Sequence, residues 1–181
     1  MSDQLLRAIE NVRSEIANHF EDYRQNEEQT KQSLINPILN ALGWDTFDRT
    51  RVQQQYRAGR GKVDMALVHE DKPVVLIEAK SLDETLGEDA IDQIIRYFTR
   101  TTAKTAVLTN GSEWRVYRPL LNSKPEFERR LLFEFRIDND DGKEVARKLL
   151  SLRYKDMANW IRKTFVFSWT LIGILQARKN S

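Results

Sequence analysis

Three charged residues interrupt two runs of Val, Ile and Leu between positions 62 and 80: Asp64, Glu78 and Lys80. The runs, 63–69 and 74–79, have the composition of buried strands, where a charge is costly unless it has a partner or a task. Glu78 and Lys80 stand two apart, so on a strand they project from one face while Ile77 and Ala79 project from the other. The polar turn Glu70-Asp71-Lys72-Pro73 joins the runs as a hairpin, which sets Asp64 beside Glu78 at one end of a sheet. Two carboxylates and an ammonium converging there form a site for a hard divalent cation and an activated water. The alternative is a solvated edge strand carrying ordinary surface charges, and the surrounding elements decide between the two.

Ahead of this hairpin, Leu5, Leu6, Ile9, Val12, Ile16, Phe20 and Tyr23 recur at three- and four-residue steps, which predicts a helix over 4–24. Asn26 is placed to cap a second helix with Glu27 and Glu28 in its first turn; Leu34, Ile35, Ile38, Leu39 and Leu42 form its stripe, and Gly43 ends it. Pro37 inside that helix predicts a kink or a break. Val52 to Tyr56 alternates as a first strand, followed by a basic glycine-rich turn, 57–62. Its glycine spacing is not that of a phosphate-binding P-loop, so it reads as a solvated hairpin turn or as a contact to a nucleic-acid phosphate.

After Lys80 comes an acidic loop, then a helix over 88–100 with Ala90, Ile91, Ile94, Ile95 and Phe98 as its stripe, and Gln93 and Tyr97 one turn apart on one face. Residues 103–111 read as a buried strand ending in an Asn-Gly turn, 113–118 as its returning strand and 130–137 as a further strand. The acidic segment 138–142 lacks the ligand spacing of an EF-hand and reads as a solvated turn before a helix over 143–163.

Composition excludes several chemistries. The chain has 181 residues, enough for one domain, with no cysteine and only His19 and His69, which argues against cysteine-ligated zinc, disulfides and histidine-based nucleophilic triads. The net charge of +2 makes any nucleic-acid footprint a local one. No signal peptide precedes the first helix, and the apolar run 165–175 is too short to span a bilayer, so a cytoplasmic protein without a membrane span is expected.

Asp64 followed by Glu78-Ala79-Lys80 resembles the active-site motif of the PD-(D/E)XK nuclease superfamily, with Val63 in place of the usual proline. The stretch from Asn26 through Leu42-Gly43-Trp44, the Gln93/Tyr97 helix and the later Leu-Thr-Asn-Gly…Trp-Arg-Val-Tyr phrase further resemble the N-terminal nuclease domain of type I restriction enzyme R subunits. The resemblance covers about residues 26–137 and implies an α/β, restriction-endonuclease-like core, a central mixed β-sheet flanked by helices. It implies Mg²⁺, for which Mn²⁺ could substitute, held by Asp64, Glu78 and the backbone carbonyl of Ala79, with Lys80 orienting or deprotonating the attacking water. An acidic residue of the first core helix reaches the metal in that family. Glu27 and Glu28 both qualify, and Glu28 is favoured because it stands one heptad before Ile35 and so shares the face that packs on the sheet. Gln93 and Tyr97 would support the site, and Arg57, Arg60 and Lys62 would contact DNA.

The expected function is therefore Mg²⁺-dependent endonucleolytic cleavage of DNA in restriction-modification or defence against foreign DNA. The alternative is a catalytically silent nuclease-fold module that binds DNA or a restriction-complex partner. Without a Walker A motif in these residues, an ATP-driven motor would come from elsewhere; other restriction subunits and a homodimer are further partners to consider. A single domain over 1–163 is expected, and the tail 164–181 would cover an exposed face, form a dimer contact or lead into a longer protein.

Overall fold

The computed structural model describes residues 3–59, 61–98, 100–118 and 131–157. Arg60, the start of the strand placed over 130–137, the end of the helix placed over 143–163, the tail 164–181 and the side chains of Ile95 and Phe98 lie outside them.

Helix α1 (Asp3–Tyr23) buries one stripe, Leu5, Ile9, Val12, Ile16 and Tyr23, and its backbone departs from helical geometry at His19. The second helical stretch begins with α2 (Glu27–Thr30), capped as expected: the Asn26 side chain accepts the Gln29 N–H at 3.1 Å. It does not break before Pro37. It widens into a π turn, Lys31–Ile35, in which the Asn36 N–H reaches back five residues to the Lys31 carbonyl, and then continues as α3 (Asn36–Ala41). In a regular α-helix the Pro37 ring would press on the Ser33 carbonyl four residues back, and the wider turn gives it room. Gly43, at φ +90°, ends the helix, with the Trp44 N–H returning to Leu39 and the Gly43 N–H to Asn40.

Six strands follow: β1 (Val52–Ala58), β2 (Gly61–His69), β3 (Lys72–Ala79), β4 (Thr105–Thr109), β5 (Glu113–Tyr117) and β6 (Leu131–Arg136), arranged in that order. All neighbours are antiparallel except β3 and β4, which run parallel because helix α4 (Glu88–Phe98) carries the chain between them. Two hairpins are tighter than the sequence suggested. Glu70 and Asp71, both at positive φ, make the whole β2–β3 turn, and Lys72 and Pro73 belong to β3, the proline being accommodated at a register shift. Likewise β1 runs on to Ala58, so Arg57 and Lys62 face each other across strands rather than lying in the turn.

The sheet separates two apolar layers. On one face α1, α3 and α5 (Gly142–Leu149) pack on Met65, Leu67, Val75, Ile77, Val107 and Trp114. On the other, Ala90 and Ile94 of α4 pack on Ala66, Leu76, Ala106 and Leu108. The acidic segment before α5 has a defined task, since Asp141 accepts the N–H groups of Lys143 and Glu144 and caps that helix. Arg13 of α1 also closes against it, donating to the Ile137 carbonyl at 2.6 Å.

The β4–β5 turn locks the sheet to the second helical stretch. Gly111 is at φ +87°, and a methyl group there would lie 2.8 Å from Leu34 Cδ1 and 3.2 Å from Thr30 Cγ2. Gly111→Ala should therefore lower stability by about 1–3 kcal/mol through backbone strain and overpacking, read as a lower urea midpoint at unchanged slope. An unchanged midpoint would show that the turn and helix are not in this register.

Candidate active site

The β2–β3 ladder is paired as far as Met65 and Ile77, and one further step brings Asp64 opposite Glu78. Successive N–H groups of a strand point to opposite neighbours. Since the Lys80 N–H bonds the Thr109 carbonyl of β4, the Ala79 N–H faces β2. There it meets a side chain: Asp64 Oδ2 accepts it at 2.8 Å. On the other flank Gln55 and Asp64 drop out of the β1–β2 ladder between the pairs Gln54–Met65 and Tyr56–Val63. Gln55 sits at φ +51° and donates to Asp64 Oδ1 at 3.2 Å. A non-glycine residue in that conformation within a strand is strained, and here the strain delivers a hydrogen-bond donor to the acid.

Glu78 and Lys80 project toward α4, on the face opposite Ile77 and Ala79. Glu78 is 2% exposed. Its Oε1 accepts from Gln93 Nε2 and lies 3.4 Å from Lys80 Nζ, whereas its Oε2 is buried without a partner. Burial, and next the negative charge of Asp64, push the Glu78 carboxyl up to about 7, against the pull of Lys80. Burial also raises Asp64, opposed by the Ala79 N–H. A cleft of about 560 Å³, lined in part by Lys80, Gln93, Glu84 and Glu88, opens beside the pair.

From the opposite layer comes a residue that sequence reasoning did not single out. Lys31, buried at the start of the π turn, places Nζ 2.9 Å from Glu28 Oε2, 3.2 Å from Glu27 Oε1 and 3.9 Å from Asp64 Oδ1. Burial pulls its ammonium down, but Glu28, Asp64 and Glu27 together hold it above the ordinary lysine value. Its spacing of three and four from the two acids was legible as helical ion pairing; its burial was not.

The structure thus gathers Asp64, Glu78, Ala79, Lys80 and Gln93 at one end of the sheet, with Lys31 and Gln55 added. Tyr97 sits apart, its ring over Gly61 of β2, where a methyl group would come within 3.0 Å of its hydroxyl. Glu28 is exposed and also accepts from Gln32 at 3.1 Å, while it is the Glu27 charge that helps raise both Asp64 and Glu78. The π turn explains the difference: its extra residue shifts the phase, so the residue eight before Ile35, rather than seven, takes the sheet-facing side. Arg57 and Lys62 are exposed and directly paired across β1 and β2 near the hairpin tip. Among the described residues no three His, Cys, Asp or Glu side chains form a metal cage by themselves. The hard oxygens of Asp64 and Glu78 nonetheless fit an ion such as Mg²⁺, which commonly takes one or two carboxylates and keeps its waters. The Glu78 Oε2 atom is buried and has no hydrogen-bond partner.

A six-stranded mixed sheet flanked by helices, with an acid pair at one end, defines an α/β restriction-endonuclease-like domain. Residues 26–128 match the family described as Type I restriction enzyme R protein N terminus (HSDR_N), and the chain belongs to that family. Among solved structures it is similar to a chain of the DrdV–DNA complex seen by cryoEM, with a TM-score of 0.53 at 14% identity over 83% of this chain and 14% of that one. The type IIG restriction endonuclease BpuSI aligns with a TM-score of 0.45 at 15% identity, over 82% of this chain and 17% of that one. The present chain thus spans only a small part of the length of either. No curated protein sequence matches it. Among the described residues no helix is long and apolar enough to cross a membrane.

The raised Glu78 carboxyl makes stability depend on pH. Between 4.5, its ordinary value, and about 7, the native chain holds a proton that the unfolded chain has lost, so metal-free stability falls as pH rises through that window. Glu78→Gln should remove this component and stabilise the metal-free protein above pH 7 by up to about 3 kcal/mol. Urea unfolding in EDTA from pH 4.5 to 8 provides the check, and identical pH slopes for the two proteins would contradict it.

Proposed function

We propose that this chain is the nuclease domain of a type I restriction R protein, a Mg²⁺-dependent endonuclease that hydrolyses DNA phosphodiester bonds. The observation that carries this reading is the buried Asp64–Glu78 pair beside Lys80, with one carboxylate oxygen of Glu78 left unpartnered. Asp64, Glu78 and the Ala79 carbonyl would hold Mg²⁺ or Mn²⁺, which when bound supplies the positive charge that polarises a scissile phosphate. Ala79 N–H and Gln55 fix the Asp64 carboxylate from two sides. Gln93 occupies Glu78 Oε1 and so leaves Oε2 as the oxygen available to the ion. Lys80 Nζ, anchored at 3.4 Å to Glu78, orients the attacking water and offsets negative charge growing on the phosphate. Arg57 and Lys62, like charges set opposite each other on an exposed hairpin, are costly in isolation and suit a DNA backbone. Arg60 lies outside the described residues and is proposed with them from sequence alone. Other restriction subunits, including a motor, are the partners this reading implies.

Supercoiled plasmid incubated with Mg²⁺, Mn²⁺ or EDTA tests the reading. Wild type should nick or cut in either metal and not in EDTA, and Lys80→Ala should be slower by roughly 10²–10⁴-fold with its thermal midpoint retained. Wild-type cutting in EDTA, or an undiminished rate in Lys80→Ala, would remove this assignment of the site.

The hairpin contributes a separate expectation. Arg57→Ala and Lys62→Ala should each weaken binding to unrelated DNA sequences alike and reduce the slope of log K against log salt by about 1. Fluorescence anisotropy on a labelled duplex between low and moderate salt measures this, and an unaltered slope would take the hairpin out of the DNA path.

A further inference from the structure

We infer that a groove along β1, beside the acid pair, receives an unstacked DNA base that stacks on Phe47 while Arg49 takes a phosphate of the same strand. The inference rests on the DNA reading above and goes beyond it, since that reading places contacts only near the hairpin tip and assigns none to a base.

Phe47 is 92% exposed, more than any other large apolar side chain among the described residues. The loop that carries it is braced on both sides. Asp45 accepts the Phe47 N–H at 3.0 Å, Asp48 accepts the Thr50 N–H at 2.9 Å, and Asn40 of α3 holds Thr46 through hydrogen bonds of 3.0 and 3.1 Å. An ordered backbone thus presents the ring to water, and an aromatic face so placed gains free energy by stacking on a base. Beside it lies a groove of about 630 Å³ lined further by Thr46, Arg49, Val52, Gln53 and Gln54. Each glutamine amide offers both a donor and an acceptor, the two functions that a base edge engages.

Electrostatics select the occupant. Arg51 is committed, 3.4 Å from Asp48 and over the Tyr154 ring, whereas Arg49 has no ion pair among the described residues. The groove is lined by that one cation and by no acid. By contrast, the cleft beside Lys80 carries Glu84, Glu88 and Asp89, and the cleft at the end of α1 carries Glu15 and Asp22, all of which oppose a phosphate chain. Position agrees with charge. Gln53 stands two residues before Gln55, the donor to Asp64, which is about 7 Å along a strand or two base-pair rises of a duplex. Arg57 and Lys62 lie at the other end of the same strand pair, so the contacts bracket the acid pair.

Fluorescence anisotropy of the whole chain on a labelled single-stranded oligonucleotide, in EDTA so that no strand is cut, tests the assignment. Phe47→Ala should weaken binding about 5- to 100-fold with an unchanged salt slope, and Phe47→Trp should retain wild-type affinity. Arg49→Ala should lower the slope of log K against log salt by about 0.7. On an oligonucleotide of abasic sugars, wild type and Phe47→Ala should bind alike. Wild-type affinity in Phe47→Ala overturns the inference, as does a Phe47→Ala penalty that persists on the abasic strand. Should Phe47→Ala keep its DNA affinity but dissociate a wild-type dimer in sedimentation, the loop joins two copies of this chain and the inference falls. Cleavage that survives in Lys80→Ala sinks the nuclease reading separately, and wild type that binds no oligonucleotide, with Lys80→Ala binding none in Mg²⁺, overturns both.

Discussion

The hydrogen bond from the Ala79 N–H to Asp64 is the interaction on which the rest of this site depends. A strand interior normally satisfies each N–H with a neighbouring carbonyl. Here a carboxylate does so, and that one exchange gives a buried acid a backbone donor in place of water. It also brings Asp64 against Glu78, a pairing that burial alone would oppose. The strain at Gln55 is the complementary adjustment on β1, where the backbone leaves the ladder just where Asp64 needs a second donor. The carboxylates are therefore held by local rearrangement of three strands rather than by the end of the sheet fraying into solvent.

Each carboxylate draws its further partner from a different layer. Asp64 is approached by Lys31 from the α2 side, and Glu78 by Gln93 from α4. This division follows from topology: a parallel β3–β4 connection requires a crossover, and the crossover helix covers the face onto which Glu78 and Lys80 project. The loop leading into that helix is itself fastened. Buried Asn110 donates to the carbonyls of Leu82 and Glu84, and Arg115 to that of Leu86 at 2.8 Å. The Asn-Gly turn after β4 thus does more than reverse the chain, because its Asn110 fastens the loop that leads from Lys80 toward the helix bearing Gln93.

Much of this was legible in the sequence where period and punctuation agree. The apolar stripe of α1, the Asn26 cap, the Gly43 stop and the hairpin carrying Asp64 and Glu78 all follow from residue type and spacing. Strand ends were less legible, since Lys72, Pro73, Arg57 and Lys62 look like turn residues and are placed in strands by tight two-residue turns. Lys31 and Gln55 were invisible for a different reason. A polar side chain on a helix or strand carries no local mark of burial, and both acquire their roles only when β2 is laid beside β1 and the second helical stretch is laid across them.

The choice between Glu27 and Glu28 illustrates how a single backbone irregularity propagates. Counting heptads assumes 3.6 residues per turn throughout, and one π turn breaks that assumption between the acids and Ile35. Pro37 is the sequence cause, because a regular helix would force its ring onto the Ser33 carbonyl. The widened turn begins at Lys31, so the same proline that rotates Glu27 toward the sheet also sets the height at which the ammonium meets Asp64. The proline is thus a component of the site's electrostatics although it touches none of its charges.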